Sequence, residues 1–189
     1  AGTGKFLNNL LSVSARYSII NSDGYIDRAF SKLNSYNINA LFEKGNTKLR
    51  FLTFGGKEKT YQAWNGIDKA TYESNPKFNY SGAIYDANWE NIIGFYDNET
   101  DNYRQNHYHL LWEQKLGKIW NLETTFHLTH GEGYYENYKQ DAKFSKYDLP
   151  NIVENGNTIT RTDFIRKKWL DNDFYGVVSN LYGNFENLN

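Results

Sequence analysis

The sequence has 189 residues, with 21 Lys and Arg against 22 Asp and Glu, and this balance gives no electrostatic basis for binding nucleic acid. It contains no cysteine, which excludes disulfides, thiolate metal ligands and a cysteine nucleophile. Aromatic residues make up 17% of the chain and proline occurs twice, a composition that favours strands. No run of about 18 apolar residues is present, so no transmembrane helix is predicted. The mean hydropathy of −0.77 is compatible with strands that are apolar on one face only.

The first part of the chain predicts three strands, at about residues 5–20, 33–44 and 47–58. The second of these alternates, with one parity carrying Tyr36, Ile38, Ala40 and Phe42. The short segment "KGNT" after it predicts a tight hairpin turn, because Gly and Asn accept the positive φ that such turns need. In the third strand, the Gly55-Gly56 pair indicates a bulge or a strand end.

The second part predicts three more strands, at about residues 103–115, 119–135 and 162–182. The fifth strand contains "IWNLETTFHLTH", which alternates strictly between bulky and polar side chains. Its bulky parity consists of Trp120, Leu122, Thr124, Phe126 and Leu128. Its polar parity consists of Asn121, Glu123, Thr125, His127 and Thr129. Successive side chains of a strand point to opposite faces, so this strand presents one apolar and one polar face. The last residues, 183–189, predict another short turn.

The connections between these strands alternate in length. The long ones cover about residues 21–32, 59–102 and 130–161, and the others are tight turns. Short turns at one end and long loops at the other are typical of outer-membrane barrels. The sequence therefore predicts an all-β fold of antiparallel up-and-down strands, about six in number, that form part of a large transmembrane β-barrel with its long loops outside the cell. A soluble sandwich would instead bury the same apolar parity against a second sheet.

Five segments resemble TonB-dependent outer-membrane receptors of the Bacteroidetes type. One is "RFLTFGGKEKTYQAWNGI" at residues 50–67, and the others lie at residues 11–30, 99–117, 127–139 and 166–177. The resemblance implies a barrel of roughly 22 strands in outer-membrane lipid, with a plug domain in its lumen. It further implies active import of an iron complex, haem, cobalamin or an oligosaccharide, driven through the TonB protein.

This chain differs from the family in what it lacks. The plug and the short segment that TonB grips are not recognisable, so we expect residues 1–189 to be an internal piece of the barrel wall, completed by the remaining strands and the plug of the same receptor. We expect no enzymatic activity and no cofactor, because the sequence holds neither a nucleophile elbow nor a phosphate-binding loop. The alternative is a soluble or surface-exposed all-β module that binds glycans.

Candidate ligand contacts are aromatic residues near the predicted long loops. Tyr61 and Trp64 belong to "TYQAWNG", and Tyr134 and Tyr135 belong to "THGEGYYENY". Tyrosine and tryptophan stack on ligands and donate hydrogen bonds to them. The alternative is structural: the first two would anchor the long loop, and the other two would form an interfacial girdle and a self-packed loop.

All four histidines lie on the hairpin of the fourth and fifth strands: His107, His109, His127 and His130. If the turn centres near Lys118, His109 lies directly opposite His127 on the polar parity, and we take these two as further candidate ligand contacts. Imidazoles on one face can bind a metal or haem. The alternative is that they pack against the plug or water, and no carboxylate spacing completes a recognised metal site.

Three acidic residues alternate before the fourth strand: Asp97, Glu99 and Asp101. Oxygen ligands at such spacing can hold calcium, and solvated loop charges explain the pattern equally well. We predict no metal site for the chain.

Overall fold

The structure is a computed structural model that describes residues 1–185. Seven of its strands form one antiparallel sheet, in which every strand except β1 is twelve or more residues long: β1 Gly2–Phe6, β2 Leu11–Ser22, β3 Ser31–Lys44, β4 Thr47–Tyr61, β7 Thr100–Leu116, β8 Trp120–Lys143 and β11 Arg161–Gly183. The other strands form two small hairpins in the loops: β5 Ala83–Tyr85 with β6 Ile92–Phe95, and β9 Ile152–Glu154 with β10 Asn157–Ile159. The strands of the large sheet lie side by side in the same order in which they occur along the chain. The prediction of an all-β, antiparallel up-and-down fold is confirmed.

Helices are minor in this fold. α1 spans Lys69–Ser74, and a 3-10 helix spans Phe144–Tyr147. Asp68 caps α1, because its side chain accepts a hydrogen bond from the amide of Thr71 at 2.9 Å. Within residues 1–185, no helix has the length and apolar character needed to cross a membrane.

The first predicted strand is two strands, which makes seven in the sheet and not six. Residues 7–10 turn the chain between β1 and β2, and Leu7, Asn8 and Asn9 have φ values of 52°, 57° and 65°. Two asparagines favour this turn, because asparagine tolerates the left-handed region better than most residues. The alternating apolar residues from Leu11 to Ile19 therefore all belong to β2, and none belongs to β1.

All three predicted long loops are shorter than expected, because strands extend into them. β8 continues to Lys143 and stays paired with β11, so the third connection covers residues 144–160 instead of 130–161. β4 continues to Tyr61, and the second connection covers residues 62–99. The first connection covers residues 23–30. We call these the first, second and third long loops; all three leave the same end of the sheet. Residues 186–189 of the predicted final turn lie outside the described residues.

The Gly55-Gly56 pair is neither a bulge nor a strand end, so that prediction is wrong. The register of β4 with β3 and β7 runs through both glycines without a shift. Gly55 is needed for close packing: a Cβ there would lie 2.5 Å from the carbonyl oxygen of Gln105 and 2.6 Å from Oδ1 of Asn106. Across this gap, the hydroxyl of Tyr36 donates a hydrogen bond to Asn106 Oδ1 at 3.0 Å.

The sheet has two chemically distinct faces. We call one the apolar face, and its residues come from six strands: Leu11, Val13, Ala15, Tyr17 and Ile19; Tyr36, Ile38, Ala40 and Phe42; Leu49 and Phe51; Tyr108, Leu110 and Trp112; Trp120, Leu122, Phe126 and Leu128; Tyr175, Val177 and Leu181. No second sheet covers this face in residues 1–185. Phe51, Leu110 and Phe126 are therefore 40–43% exposed in mid-sheet, and the buried hydrophobic residues of the described chain are only Tyr61 and Phe144.

The opposite side, the polar face, carries mostly Ser, Asn, Arg, His, Thr and Gln side chains from the same strands. It is hollowed. A cavity of about 590 Å³ lies over β2, β3, β4 and β7, and its walls include Arg16, Ser35, Asn37, Glu58, Gln105 and His107. The cavity therefore lies on the polar face of the sheet.

Candidate functional site

Tyr61 fixes the second long loop to the end of β4. Its side chain is 4% exposed, and its hydroxyl lies 3.0 Å from the carbonyl oxygen of Ser81 and 2.8 Å from that of Tyr96. The hydroxyl therefore contacts the loop residues on either side of the β5–β6 hairpin. Gly82 adopts a φ of +74° directly beside this hydroxyl, where a Cβ would collide with it. Of the two interpretations drawn from the sequence, these contacts are those of an anchor.

A buried amide network continues from Tyr61. Gln62 is 3% exposed, and its Nε2 donates to the carbonyl oxygens of Thr100 at 3.2 Å and Glu136 at 3.0 Å. Its Oε1 accepts a hydrogen bond from Asn137 Nδ2 at 2.9 Å, and Asn137 also donates to Glu99 Oε1 at 2.7 Å. Polar groups buried at this depth need partners, and this network supplies them. Sequence reasoning singled out the aromatic residues of "TYQAWNG" and missed Gln62, the residue that ties β4 to β7 and β8.

The first and second long loops are joined through Asn79. Its Nδ2 donates to the carbonyl oxygens of Asp27 at 3.1 Å and Gln62 at 2.9 Å. The guanidinium of Arg28 lies 3.5 Å above the ring of Phe95 and donates to the backbone carbonyl of Asn79. A cation held over an aromatic face at this distance is attracted by the ring quadrupole. The loops therefore form one hydrogen-bonded cap over the end of the sheet.

A carboxylate on β8 holds the far side of this cap. Glu136 is 3% exposed and accepts hydrogen bonds from the hydroxyl of Tyr96 and, at 2.6 Å, from Nδ2 of Asn98. Burial opposes ionisation of Glu136, but these bonds and Lys167 at 3.4 Å hold its pKa below the usual range. Burial and the neighbouring carboxylate raise the pKa of Tyr96 to about 12, so its hydroxyl remains a donor at neutral pH.

Trp64 and Tyr135 meet where the second long loop passes the end of the polar face. Their ring centroids are 5.6 Å apart at an interplanar angle of 80°, the edge-to-face arrangement that aromatic pairs prefer. Trp64 is 59% exposed, so most of its surface remains open to a partner. Trp64 thus differs from the buried Tyr61, and its role as a ligand contact stays a prediction.

Two cations lie close to the ring of Tyr135, and a third is on the same face of the sheet. The guanidinium carbon of Arg166 and the Nζ of Lys168 lie 5.7 and 5.8 Å from the ring centroid of Tyr135. Lys139 is on the same face, and burial together with the charge of Arg166 lowers its pKa. Arg166 donates to Asn137 Oδ1 at 2.6 Å, and its Nε is buried without a hydrogen-bond partner. Among residues 1–185, none of these cations forms a salt bridge. We call Trp64, Tyr135, Lys139, Arg166 and Lys168 the polar-face cluster.

Near the long loops, the polar face carries carboxylates on one side and cations on the other. On β4 and β7 it carries Glu58 and Asp101, and burial raises the pKa of both carboxyl groups. On β8 and β11 it carries the cations of the polar-face cluster. Chemically, the cluster combines positive charge, an unpartnered buried N–H and open aromatic surface. That combination suits an anionic group attached to a ring.

Tyr134 does not join Tyr135. Adjacent strand residues face opposite sides, and Tyr134 lies on the same side as the apolar face. Its ring centroid is 4.5 Å from that of Trp169, and the Nζ of Lys167 is 4.8 Å from it. Of the two predicted tyrosines, only Tyr135 is on the side of the cavity.

The histidines divide between the faces. His109 lies directly opposite His127, as predicted, with ring centroids 6.3 Å apart on the polar face. His107 is on that face too, stacked on Phe54 at 4.4 Å, and its Nδ1 is 2.8 Å from Thr129 Oγ1. His130 is on the opposite face, 2.8 Å from Asp173. Gly176 allows His127 to lie flat, because a Cβ there would be 2.6 Å from Nε2 of the ring.

No group of three or more His, Asp or Glu side chains in residues 1–185 is arranged to hold a metal ion. Three histidines share the polar face, but their side chains contact aromatic rings and a threonine. The acidic triplet also separates: Glu99 is buried in the amide network, whereas Asp101 lies opposite Tyr135 on the polar face. Comparisons of the chain with protein-family models, curated proteins and solved structures give no match.

Proposed function

We propose that this chain is part of the wall of a TonB-dependent outer-membrane transporter, the family that its sequence resembles. In this proposal the apolar face contacts lipid, the polar face lines the lumen, and the long loops lie outside the cell. The observation that carries the proposal is the path of the apolar residues across the sheet, which follows the geometry of a tilted barrel strand.

The apolar residues cross the sheet obliquely. On β2 they run from Leu11 to Ile19, and on β8 they run from Trp120 to Leu128. Residues that lie directly opposite one another across all the strands form a row. The row of Ile19 reaches β8 at Glu132, four residues beyond Leu128. The apolar belt thus shifts by four residues over the four steps from β2 to β8.

This shift corresponds to a strand tilt. One residue of about 3.3 Å per strand spacing of about 4.8 Å gives a tilt of about 35°. Strands of outer-membrane barrels tilt by about 35–45°. At this tilt a nine-residue apolar run spans about 22 Å along the membrane normal, close to the apolar band of about 25 Å in such barrels. An apolar belt at one height along a tilted axis is what contact with a bilayer requires.

Two further observations support the proposal. The cavity lies on the polar face, which fits a sheet whose polar side lines a wet lumen. All long loops leave one end of the sheet, and the turns at the other end are short, with two residues between β3 and β4. The rival, a soluble module, requires the apolar face to be covered by a second sheet, and residues 1–185 contain none in contact with it.

Within this function, the polar-face cluster is our candidate cargo contact. It lies on the lumen side at the level of the long loops, where an incoming cargo first meets the barrel. Its cations favour a cargo that carries a carboxylate or phosphate, and Trp64 and Tyr135 favour one that presents a sugar or other ring. His109 and His127 lie deeper on the same face.

Fractionation of the source cells tests the proposal. An antibody raised to residues 59–102 is used to probe outer-membrane, soluble and released fractions. We expect a heat-modifiable band in the outer membrane, much heavier than the 22.1 kDa of this chain. A soluble or released band near 22 kDa would refute the barrel and favour the glycan-binding module.

A further inference from the structure

Another pocket lies where the second and third long loops meet, apart from the cavity over β2, β3, β4 and β7. Its volume is about 440 Å³, and its walls come from the β5–β6 hairpin, the end of β8, the 3-10 helix and the first residue of β11. We call it the loop pocket. Cavities of about 300–1,000 Å³ are typical binding sites for small ligands, so this one has room for a sugar ring.

Trp89 forms one wall of the loop pocket in a strained backbone conformation. Its φ is 62°, which is unusual for a bulky residue. The carboxylate of Asp86 holds the turn, because it accepts hydrogen bonds from the amide of Glu90 at 3.0 Å and from Asn91 Nδ2 at 2.7 Å. The indole is 50% exposed and stacks on the ring of Tyr85, with centroids 5.7 Å apart and an interplanar angle of 26°. Strain of this kind persists only where the surroundings enforce it, and it is common at ligand-binding sites.

The hairpin that carries this aromatic pair is fixed to β8. The carboxamide of Gln140 accepts a hydrogen bond from the amide of Tyr85 at 2.8 Å and donates one to its carbonyl oxygen at 2.7 Å. Neighbouring strands exchange the same two bonds, so the protein itself holds Tyr85 and Trp89 at the pocket. The hydroxyls of Tyr85 and of Tyr147, on the 3-10 helix, have no hydrogen-bond partner among residues 1–185.

Three lysines give the loop pocket a positive charge: Lys139, Lys143 and Lys146. None of them forms a salt bridge or a side-chain hydrogen bond with another residue that the structure describes. Burial lowers the pKa of Lys139, and the charges of Arg166 and Lys146 lower it further, so this lysine is held among like charges. The fourth cation of the pocket is paired, since Arg161 lies 2.9 Å from a carboxylate oxygen of Asp141.

The carboxylates beside these lysines are already bound to other groups. Glu99 partly offsets the positive charge, but its oxygens accept hydrogen bonds from Asn137 Nδ2 at 2.7 Å and from the amide of Tyr138 at 2.8 Å. Asp163 accepts hydrogen bonds from the hydroxyl of Tyr138 at 2.6 Å and from the amide of Asp141 at 2.7 Å. The lysines therefore favour an anion from outside the chain.

We propose that the loop pocket binds a sugar ring that carries a carboxylate, as in an acidic polysaccharide. The ring packs on Trp89, its carboxylate lies among the three lysines, and its neutral hydroxyls bond to Tyr85 and Tyr147. An aromatic acid is a poorer occupant, because it leaves the two tyrosine hydroxyls unpaired. The inference goes beyond the proposed function: loops and strand ends alone form the pocket, so binding does not require the membrane placement.

Isothermal titration calorimetry on the full-length protein, purified from the source cells in a neutral detergent, tests the site. The probes are digalacturonate, its neutral dimethyl ester and sodium acetate. We expect digalacturonate to bind at least about tenfold more tightly than the other two, because it alone combines the ring with the charge. Equal affinity for the ester would overturn the role of the lysines, and equal affinity for acetate would reduce the pocket to an adventitious ion site only.

Two variants locate the binding in the loop pocket. Trp89→Ala should lower the affinity for digalacturonate by about tenfold. Lys143→Gln/Lys146→Gln changes two exposed side chains and should lower it by about three- to fivefold per lysine. The matched controls remove an exposed aromatic residue and two exposed lysines elsewhere, Tyr72→Ala and Lys44→Gln/Lys118→Gln, and should stay within about twofold of the wild type. Equal losses in variants and controls would overturn the assignment.

The polar-face cluster is the rival site for the same probe, and Arg166→Gln/Lys168→Gln separates the two. If this variant loses the binding of digalacturonate and Trp89→Ala keeps it, the loop pocket fails and the candidate cargo contact stands. If the protein fractionates as soluble but Trp89→Ala still loses binding, the proposed transporter fails and the loop pocket stands.

Discussion

An oblique apolar belt predicts different membrane depths for residues in the same row, whereas a belt parallel to the rows predicts equal depths. Ala15 on β2 and Leu128 on β8 lie in the same row of paired residues. Ala15 is the middle of the apolar run of β2, whereas Leu128 is the last apolar residue on β8. Four residues of about 3.3 Å, projected on the normal at about 35°, separate the two depths by about 11 Å. In the proposed membrane placement, Ala15 therefore lies near the bilayer midplane and Leu128 near its external edge.

Nitroxide labels measure this difference directly. Ala15→Cys and Leu128→Cys are labelled in the full-length receptor in phosphatidylcholine bilayers, and this chain adds no cysteine of its own. The ratio of oxygen to nickel-chelate collision rates then reports depth. We expect the label at position 15 to lie about 11 Å deeper than the label at position 128.

A second pair reverses the order and controls for label environment. Thr124 on β8 and Leu11 on β2 also share a row, but here the β8 residue is central and the β2 residue is at the edge. Equal depths within each pair would refute the tilt. Nickel accessibility at all four positions, with no oxygen preference, would refute lipid contact altogether.

Four other outcomes follow from the structure. Tyr61→Phe removes the hydroxyl that donates to the carbonyl oxygens of Ser81 and Tyr96, and it should destabilise the second long loop by about 1–3 kcal/mol, seen as faster hydrogen exchange in residues 77–99. Tyr72→Phe, at a 61% exposed site, should change nothing. The pKa of Tyr96 is raised from 10.0 to about 12, so its share of stability is complete below pH 10 and is lost as the pH rises to about 12; exchange protection of the loop that is unchanged up to pH 12 would contradict this. Gly176→Ala forces the ring of His127 to move and should cost about 1–3 kcal/mol in heat or denaturant resistance, while Gly94→Ala, which meets open space, serves as its control. Arg166→Gln/Lys168→Gln should lower uptake of acidic oligosaccharides relative to neutral ones by at least about tenfold, and an equal loss for both cargoes would argue for a purely structural role.

The residues that anchor the long loops are different from those that keep exposed or unpaired groups. Tyr61, Gln62 and Asn137 are buried, and their polar groups form hydrogen bonds within the loop cap. Trp64 keeps its surface exposed, and the cations around Tyr135 have no carboxylate partner among the residues described. Within the proposed transporter, a hydrogen-bonded cap that presents such groups to the lumen is suited to recognition, because binding then requires little ordering of the loop.

The alternation of bulky and polar residues determined, without any tertiary information, most of the long strands of the sheet and their two faces. The reason is that side-chain direction in a strand depends only on position parity, as at Phe126 and His127. Turn chemistry fixed the register in the same way: the turn at Gly117, with a φ of +71°, centres the β7–β8 hairpin near Lys118 and so places His109 opposite His127.

Other features depended on contacts between segments distant in the sequence. The strand that continues to Lys143 is stabilised by β11, which no local pattern around residue 135 reveals. The role of Tyr61 depends on two carbonyl groups 20 and 35 residues away, and Arg166 reaches Tyr135 and Asn137 from another strand. The tilt of the apolar belt likewise required the register of five strands. Each strand alone shows which of its residues are apolar, but not how far its apolar run is shifted relative to that of the neighbouring strand.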